Sequence, residues 1–173
     1  MNCPSDNQLI MNNKDSLNAI FLYQNGELFY KIRTNGRLKS GTRAGSLMSR
    51  GYRKIMIKRK SYLEHRIIWM MFNGEIPDKM EVDHIDGNKL NNQIGNLRIA
   101  TRTQNRMNIG PYNCNKLKMK GVSWHKQVKK WVARIRVDKK LIHLGVFDNP
   151  EDAFNKYKSA SEYYHKEFSF YGK

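Results

Sequence analysis

Cysteine is nearly absent: Cys3 and Cys114 are the only two in 173 residues. They stand far apart and outside any Cys-x-x-Cys pair, which speaks against a disulfide framework and against a zinc knuckle. Two reduced thiols in a reducing compartment fit this usage. Long apolar runs are also missing, and no segment approaches the roughly 20 residues needed to span a bilayer. Residues 1–15 lack the cationic start and apolar core of a secretory signal. These absences predict a cytoplasmic protein without a membrane partner. Acids are scarce as well: Asp and Glu number 15 against 32 Lys and Arg, for a net charge of +17.

The excess of positive charge is not confined to a tail. Residues 1–110 hold 18 basic and 9 acidic side chains, and residues 111–173 hold 14 and 6. Both parts therefore carry the electrostatic footprint of a polyanion binder, with nucleic acid the first candidate. At this length the chain is one domain or two small ones, and a core divided between small units is modest.

One stretch organises the rest: Val82-Asp83-His84-Ile85-Asp86-Gly87-Asn88, then a polar loop through Asn96, then Leu97-Arg98-Ile99-Ala100 and the polar run Thr101-Arg102-Thr103-Gln104-Asn105. An acid and a histidine end a short apolar run. An Asn- and Gly-rich loop, a second short apolar run and a polar helix follow. Strand, loop, strand and helix thus bring together groups able to hold a divalent metal and activate a water. Blander readings exist for each residue. An Asp-His pair can simply end a strand, and Asn91, Asn92 and Asn96 can all be turn asparagines. Asp86 and Asn88 could compete as ligands, but the full calcium-loop pattern is not present.

This stretch resembles the HNH nucleases of the ββα-metal type, in a His-Asn-Asn variant found in phage and intron-associated homing endonucleases. His84 matches the first signature residue with Asp83 before it, Asn96 the middle one and Asn105 the last. The resemblance implies a general base at His84, since histidine titrates near neutral pH. It implies Asp83 and Asn105 as ligands of one Mg²⁺ or Mn²⁺ per active site, because one carboxylate and one amide oxygen suit a hard, largely hydrated ion better than zinc. Asn96 is expected to brace the loop and orient His84. Asn105 stands where many relatives have histidine, which implies weaker metal affinity. No small-molecule cofactor is implied.

Upstream, Leu17–Tyr23 reads as a short helix or strand, Asn25-Gly26 as a turn and Glu27–Ile32 as a strand. Residues 33–50 carry Gly36, Gly41 and Gly45 among Arg37, Lys39 and Arg43, and read as a loop that clamps backbone phosphate, or as a solvated charged loop. A strand pair containing Arg53 turns near Arg59-Lys60. Glu64–Phe72 is a compact apolar helix ended by Asn73-Gly74, with Pro77 blocking its continuation. Its His-Arg pair, His65-Arg66, also occurs in the resembling family. His65 is a structural hydrogen-bonder or a participant in chemistry; Arg66 contacts phosphate or pairs internally. Arg102 and Arg106 lie on the polar helix and can meet phosphates.

After a Gly-, Pro- and Asn-bearing linker at 110–119 the pattern changes. Strands are predicted at Lys120–Lys126, Lys129–Val137 and Leu141–Phe147. The segment Asp148-Asn149-Pro150-Glu151-Asp152 starts a helix with a capping side chain, a proline and acids at the positive dipole end. Three antiparallel strands on one helix are the architecture expected. Gly121-Val122-Ser123-Trp124, the Trp131…Arg134…Arg136 strand and His143-Leu144-Gly145-Val146-Phe147 resemble the Apetala/ethylene-response DNA-binding domain, whose sheet lies in the major groove. That resemblance implies DNA contacts by Lys126, Lys130, Trp131, Arg134, Arg136 and Lys140.

The fold class expected is α+β: a β-rich DNA-contacting extension at 1–62, an HNH core at 63–109, the linker at 110–119 and a DNA-binding sheet-and-helix unit at 120–173. The function expected is a metal-dependent endonuclease on double-stranded DNA, acting as a monomer in the host-cell cytosol if phage-encoded. The alternatives are a sequence-specific DNA-binding regulator with an inactive nuclease fold, and an RNA-binding protein.

Overall fold

A computed structural model describes residues 14–31, 39–111 and 115–171. The chain divides into two compact units, Met1–Thr101 and Arg102–Lys173. Every strand pairing is antiparallel, and helices accompany small sheets in both units, so the class is α+β.

In the first unit, helix α1 (Lys14–Ile20) runs straight into β1 (Phe21–Gln24), so the ambiguous Leu17–Tyr23 segment is half helix and half strand. The Asn25-Gly26 turn, with both residues at positive φ, returns the chain as β2 (Glu27–Tyr30). A second sheet is formed by β3 (Ser46–Leu47), β4 (Arg53–Ile57) and β5 (Lys60–Leu63). Lys58 and Arg59 make its hairpin turn at positive φ, one residue earlier than the Arg59-Lys60 turn expected, and Lys60 already belongs to β5.

Helix α2 (Glu64–Asn73) follows β5 without a break and buries Ile67, Ile68, Met70 and Met71 against Leu17, Phe21, Leu28 and Ile55. Each such side chain contributes about 1.5–3 kcal/mol of hydrophobic stabilisation. Gly74 ends the helix at φ +82°, its N–H donating to the Met70 carbonyl at 3.1 Å. A residue with a side chain resists that conformation. The hairpin of β6 (Met80–His84) and β7 (Leu97–Thr101) then packs Val82 and Leu97 into the same core.

The second unit begins with helix α3 (Arg102–Met107). Strands β8 (Val122–His125), β9 (Lys130–Val137) and β10 (Lys140–Phe147) form a sheet in that order, and helix α4 (Pro150–His165) covers one side. Asn149 caps α4 by accepting from the Glu151 N–H at 2.7 Å, with Pro150 in the first turn. Ala133 and Ile135 of β9 are buried, as are Ala153 and Tyr157 of α4. The unit starts at Arg102, ahead of the linker expected at 110–119, and a half-buried ammonium ties its first helix to the rest. Lys120 donates to the carbonyls of Met107 at 2.5 Å and Phe170 at 2.9 Å, tying α3 to the sheet and to the C-terminal end. Burial brings its pKa down to about 8. Among the described residues no helix is long and apolar enough to cross a membrane.

Candidate active site

Strand β6 delivers three consecutive buried residues, Val82, Asp83 and His84. Side chains alternate along a strand, so this strand is covered on both faces. Asp83 pairs in register with Arg98 of β7. Arg98 Nε donates to Asp83 Oδ2 at 3.0 Å, and Nη2 stands at 3.0 Å from the same oxygen.

The loop after β6 is closed by its own polar side chains. The Asp86 carboxylate accepts from Asn91 Nδ2 at 2.7 Å, Asn96 Nδ2 at 2.9 Å and the Asn88 N–H at 2.8 Å. Asn96 Oδ1 in turn accepts the Asp86 N–H at 3.1 Å, and its Nδ2 also reaches the Asn91 carbonyl at 2.8 Å. Burial would raise the Asp86 carboxyl, but these hydrogen bonds and the nearby His84 hold it below its ordinary value. Asn96 therefore works as a brace of the loop, and the Asn96 carbonyl receives the Ile85 N–H at 2.9 Å just beyond His84.

A different asparagine meets the His84 ring. His84 Nε2 and Asn92 Oδ1 lie 2.8 Å apart in a buried pocket. Asn92 Nδ2 donates to Glu64 Oε2 at 2.8 Å. Glu64, the first residue of α2, is almost completely buried and is gripped by the Arg43 guanidinium. The Leu28 N–H also donates to Glu64 Oε1, at 3.1 Å. His65 packs its ring edge-on against His84, with centroids 4.8 Å apart, and Tyr52 lies against both rings. Burial first, then His84 and Arg66, pull the His65 pKa down to about 3, so His65 is a neutral packing partner near neutral pH.

Asn92 and Glu64 were not singled out in the sequence. Asn92 looks like any loop asparagine there. Glu64 carried the one usable signal, an acid opening an otherwise apolar helix. Asn105 lies on α3 and is half-buried.

The basic side chains expected to meet DNA divide into groups. Arg37 falls outside the described residues. Lys39 is exposed and Arg66 half-buried. Arg43, expected in a phosphate clamp, instead spends its donors internally on Glu64, Glu27 and the Leu28 carbonyl. Arg53 is likewise turned inward, donating to the Gly45 carbonyl at 3.0 Å.

In the second unit, Arg102, Arg106, Lys126, Arg136 and Lys140 are exposed, and Arg134 is half-buried. Strand parity and register set Lys130, Arg134 and Arg136 on one face with His125 and His143. Trp131, one of the residues expected to contact DNA, lies on the other face with Ala133 and Ile135, its ring edge-to-face with Trp124 at 5.1 Å. Lys130 pairs with Asp148 at 2.9 Å.

Comparison with known proteins agrees with the hairpin. A family model described as HNH endonuclease matches residues 62–107. Protein 3.8 of Escherichia phage T7 is 36% identical over 89 residues, covering 47% of this chain and 74% of that protein. YosQ, an SPbeta prophage-derived protein of Bacillus subtilis (strain 168) named as an HNH homing endonuclease, is 50% identical over 46 residues, 27% of each chain. The uncharacterized HNH endonuclease L560 of Acanthamoeba polyphaga mimivirus is 53% identical over 45 residues, 25% of this chain and 24% of that protein. The chain thus spans about a quarter of the two HNH-named relatives. No solved structure matches the chain significantly. The chain belongs to the family of phage T7 protein 3.8 and carries an HNH endonuclease core at residues 62–107.

Proposed function

We propose that the protein is a metal-dependent endonuclease of the HNH homing or mobile-element type that hydrolyses phosphodiester bonds in double-stranded DNA. The observation that carries this reading is the buried Asp83-His84 pair ending β6, held by Arg98 on one side and Asn92 on the other. A structural strand end has no need of a buried imidazole and a buried carboxylate, each with a dedicated partner.

Among the described residues no cluster of three or more His, Cys, Asp or Glu could cage a metal. A donor set of one carboxylate and one amide oxygen, Asp83 with Asn105, fits an ion that keeps most of its waters, namely Mg²⁺ or Mn²⁺. When bound, that ion supplies positive charge for the reacting phosphate and its departing oxygen. His84 takes the proton from the attacking water. Arg98 keeps the Asp83 carboxylate aimed, and Asn96 keeps the loop beyond His84 closed.

The basic face of β8–β10 serves target binding, in the manner of the Apetala-type sheet, with Lys130, Arg134 and Arg136 on phosphates and base edges. The protein acts as a monomer in the host-cell cytosol, where one site makes one cut. The test is incubation with supercoiled plasmid and Mg²⁺, with and without chelator. Chelator-sensitive nicking is expected; an intact plasmid under all metal conditions, with DNA still bound, would favour a binding protein.

A further inference from the structure

We propose that Asn92 is a positioning residue: held by Glu64, it fixes His84 as the Nε2–H tautomer and puts the basic lone pair on Nδ1. This rests on the reading of His84 as the general base.

The direction of each hydrogen bond follows from Glu64. A carboxylate only accepts. Glu64 accepts from the Leu28 N–H and from the Arg43 guanidinium on both oxygens. The Asn92 atom 2.8 Å from Oε2 must then be the amide nitrogen, and the amide oxygen is left facing His84. An amide oxygen cannot donate, so the facing ring nitrogen, Nε2, carries the hydrogen. A neutral imidazole has only one, and Nδ1 is the acceptor. Flipping the Asn92 amide would set its oxygen against the Glu64 carboxylate at buried hydrogen-bonding distance, two acceptors with no proton between them.

The chain of contacts draws on four separate places. Arg43 comes from the loop before β3, Glu64 from the start of α2, Asn92 from the loop after β6, and His84 from the end of β6. Arg43 is itself fixed by Glu27 and the Leu28 carbonyl, so Glu64 cannot swing away. In catalysis the water O–H bond breaks, its proton passes to Nδ1, and the hydroxide oxygen attacks phosphorus as the bond to the leaving oxygen breaks. Nε2–H stays with Asn92 throughout.

The experiment is a long-range ¹H–¹⁵N correlation spectrum of the full chain, histidine-labelled, at a pH where the rings are neutral. The His84 signals are assigned by their loss in His84→Ala. A protonated Nε2 and a pyridine-type Nδ1 are expected. The reverse pattern would overturn the proposal whether or not the protein cuts DNA. The expected pattern in a protein that never cuts would uphold the tautomer and sink the nuclease reading instead. Asn92→Ala should mix the tautomers and lower kcat by about 10–100-fold, the usual cost of losing a partner that orients a catalytic group, with KM unchanged. If the alanine variant does not fold, the spectrum of the parent decides alone, and Nδ1–H on His84 there overturns the proposal.

Discussion

Arg98 reaches across the β6–β7 hairpin to Asp83, its register partner, with Nε 3.0 Å from Oδ2. Both side chains are largely buried, so each would be costly to leave alone. Removing one member of a buried pair typically costs about 3–5 kcal/mol. Arg98→Ala and Asp83→Ala should each destabilise the protein strongly, while the double variant loses less than the sum by about 1–3 kcal/mol. Urea unfolding of the four proteins measures this; additive losses would show that the pair is not coupled.

His65 gives the first unit an acid sensitivity. Its folded pKa, about 3, lies below the ordinary 6.5 because of burial, then His84 and Arg66. Between those values the unfolded chain binds the proton and the folded chain does not, so stability is lost as pH falls from about 6.5 towards 3 and is unaffected above that window. The slope from this one group is at most about 1.4 kcal/mol per pH unit. His65→Phe should show a shallower decline than the parent in unfolding curves between pH 6 and 4. Parallel curves would contradict the shift.

Gly121 sits at φ +77°, and a Cβ there would meet the Tyr157 ring at 2.1 Å and the Arg134 carbonyl at 2.7 Å. Tyr157 is itself buried enough for its hydroxyl pKa to rise to about 12. Gly121→Ala combines backbone strain with overpacking, and a loss of about 2–4 kcal/mol is expected in the second unit. A melting temperature equal to that of the parent would show that the sheet and α4 part easily.

Arg134 and Arg136 share the face of the sheet opposite Ala133 and Ile135. If that face meets phosphates, Arg134→Ala with Arg136→Ala should weaken DNA binding and reduce the slope of log K against log salt by about 2. An unchanged slope would remove the sheet from the interface, whereas the matching change at Arg43 should leave the slope alone, because that side chain is engaged within the fold.

Features built from neighbours in the chain were legible in the sequence. The Asn73-Gly74 helix end, the Asn149-Pro150 helix start and the strand, loop, strand, helix order around His84 all follow from local backbone preferences. The spacing of Asp83, His84 and Asn96 found the hairpin because both strands and the loop lie within one short stretch. The contact that orients His84 was hidden. Asn92 gains its meaning from Glu64, 28 residues earlier, and Glu64 from Arg43, a further 21 residues back. Basic residues such as Arg43 and Arg53 read as DNA contacts because charge alone does not tell a solvated cation from one paired inside. The unit boundary was obscured in the same way, since the half-buried Lys120 ties Met107 at the end of α3 to Phe170, 50 residues beyond that lysine.

Everything in the catalytic reading converges on one imidazole. His84→Ala should be compared with the parent in single-turnover cleavage of a duplex target in Mg²⁺, with binding followed on the same DNA. Loss of cleavage by at least about 10²-fold, the scale of general-base catalysis, with the dissociation constant nearly unchanged, is expected. Cleavage at the parent's rate would contradict the assignment.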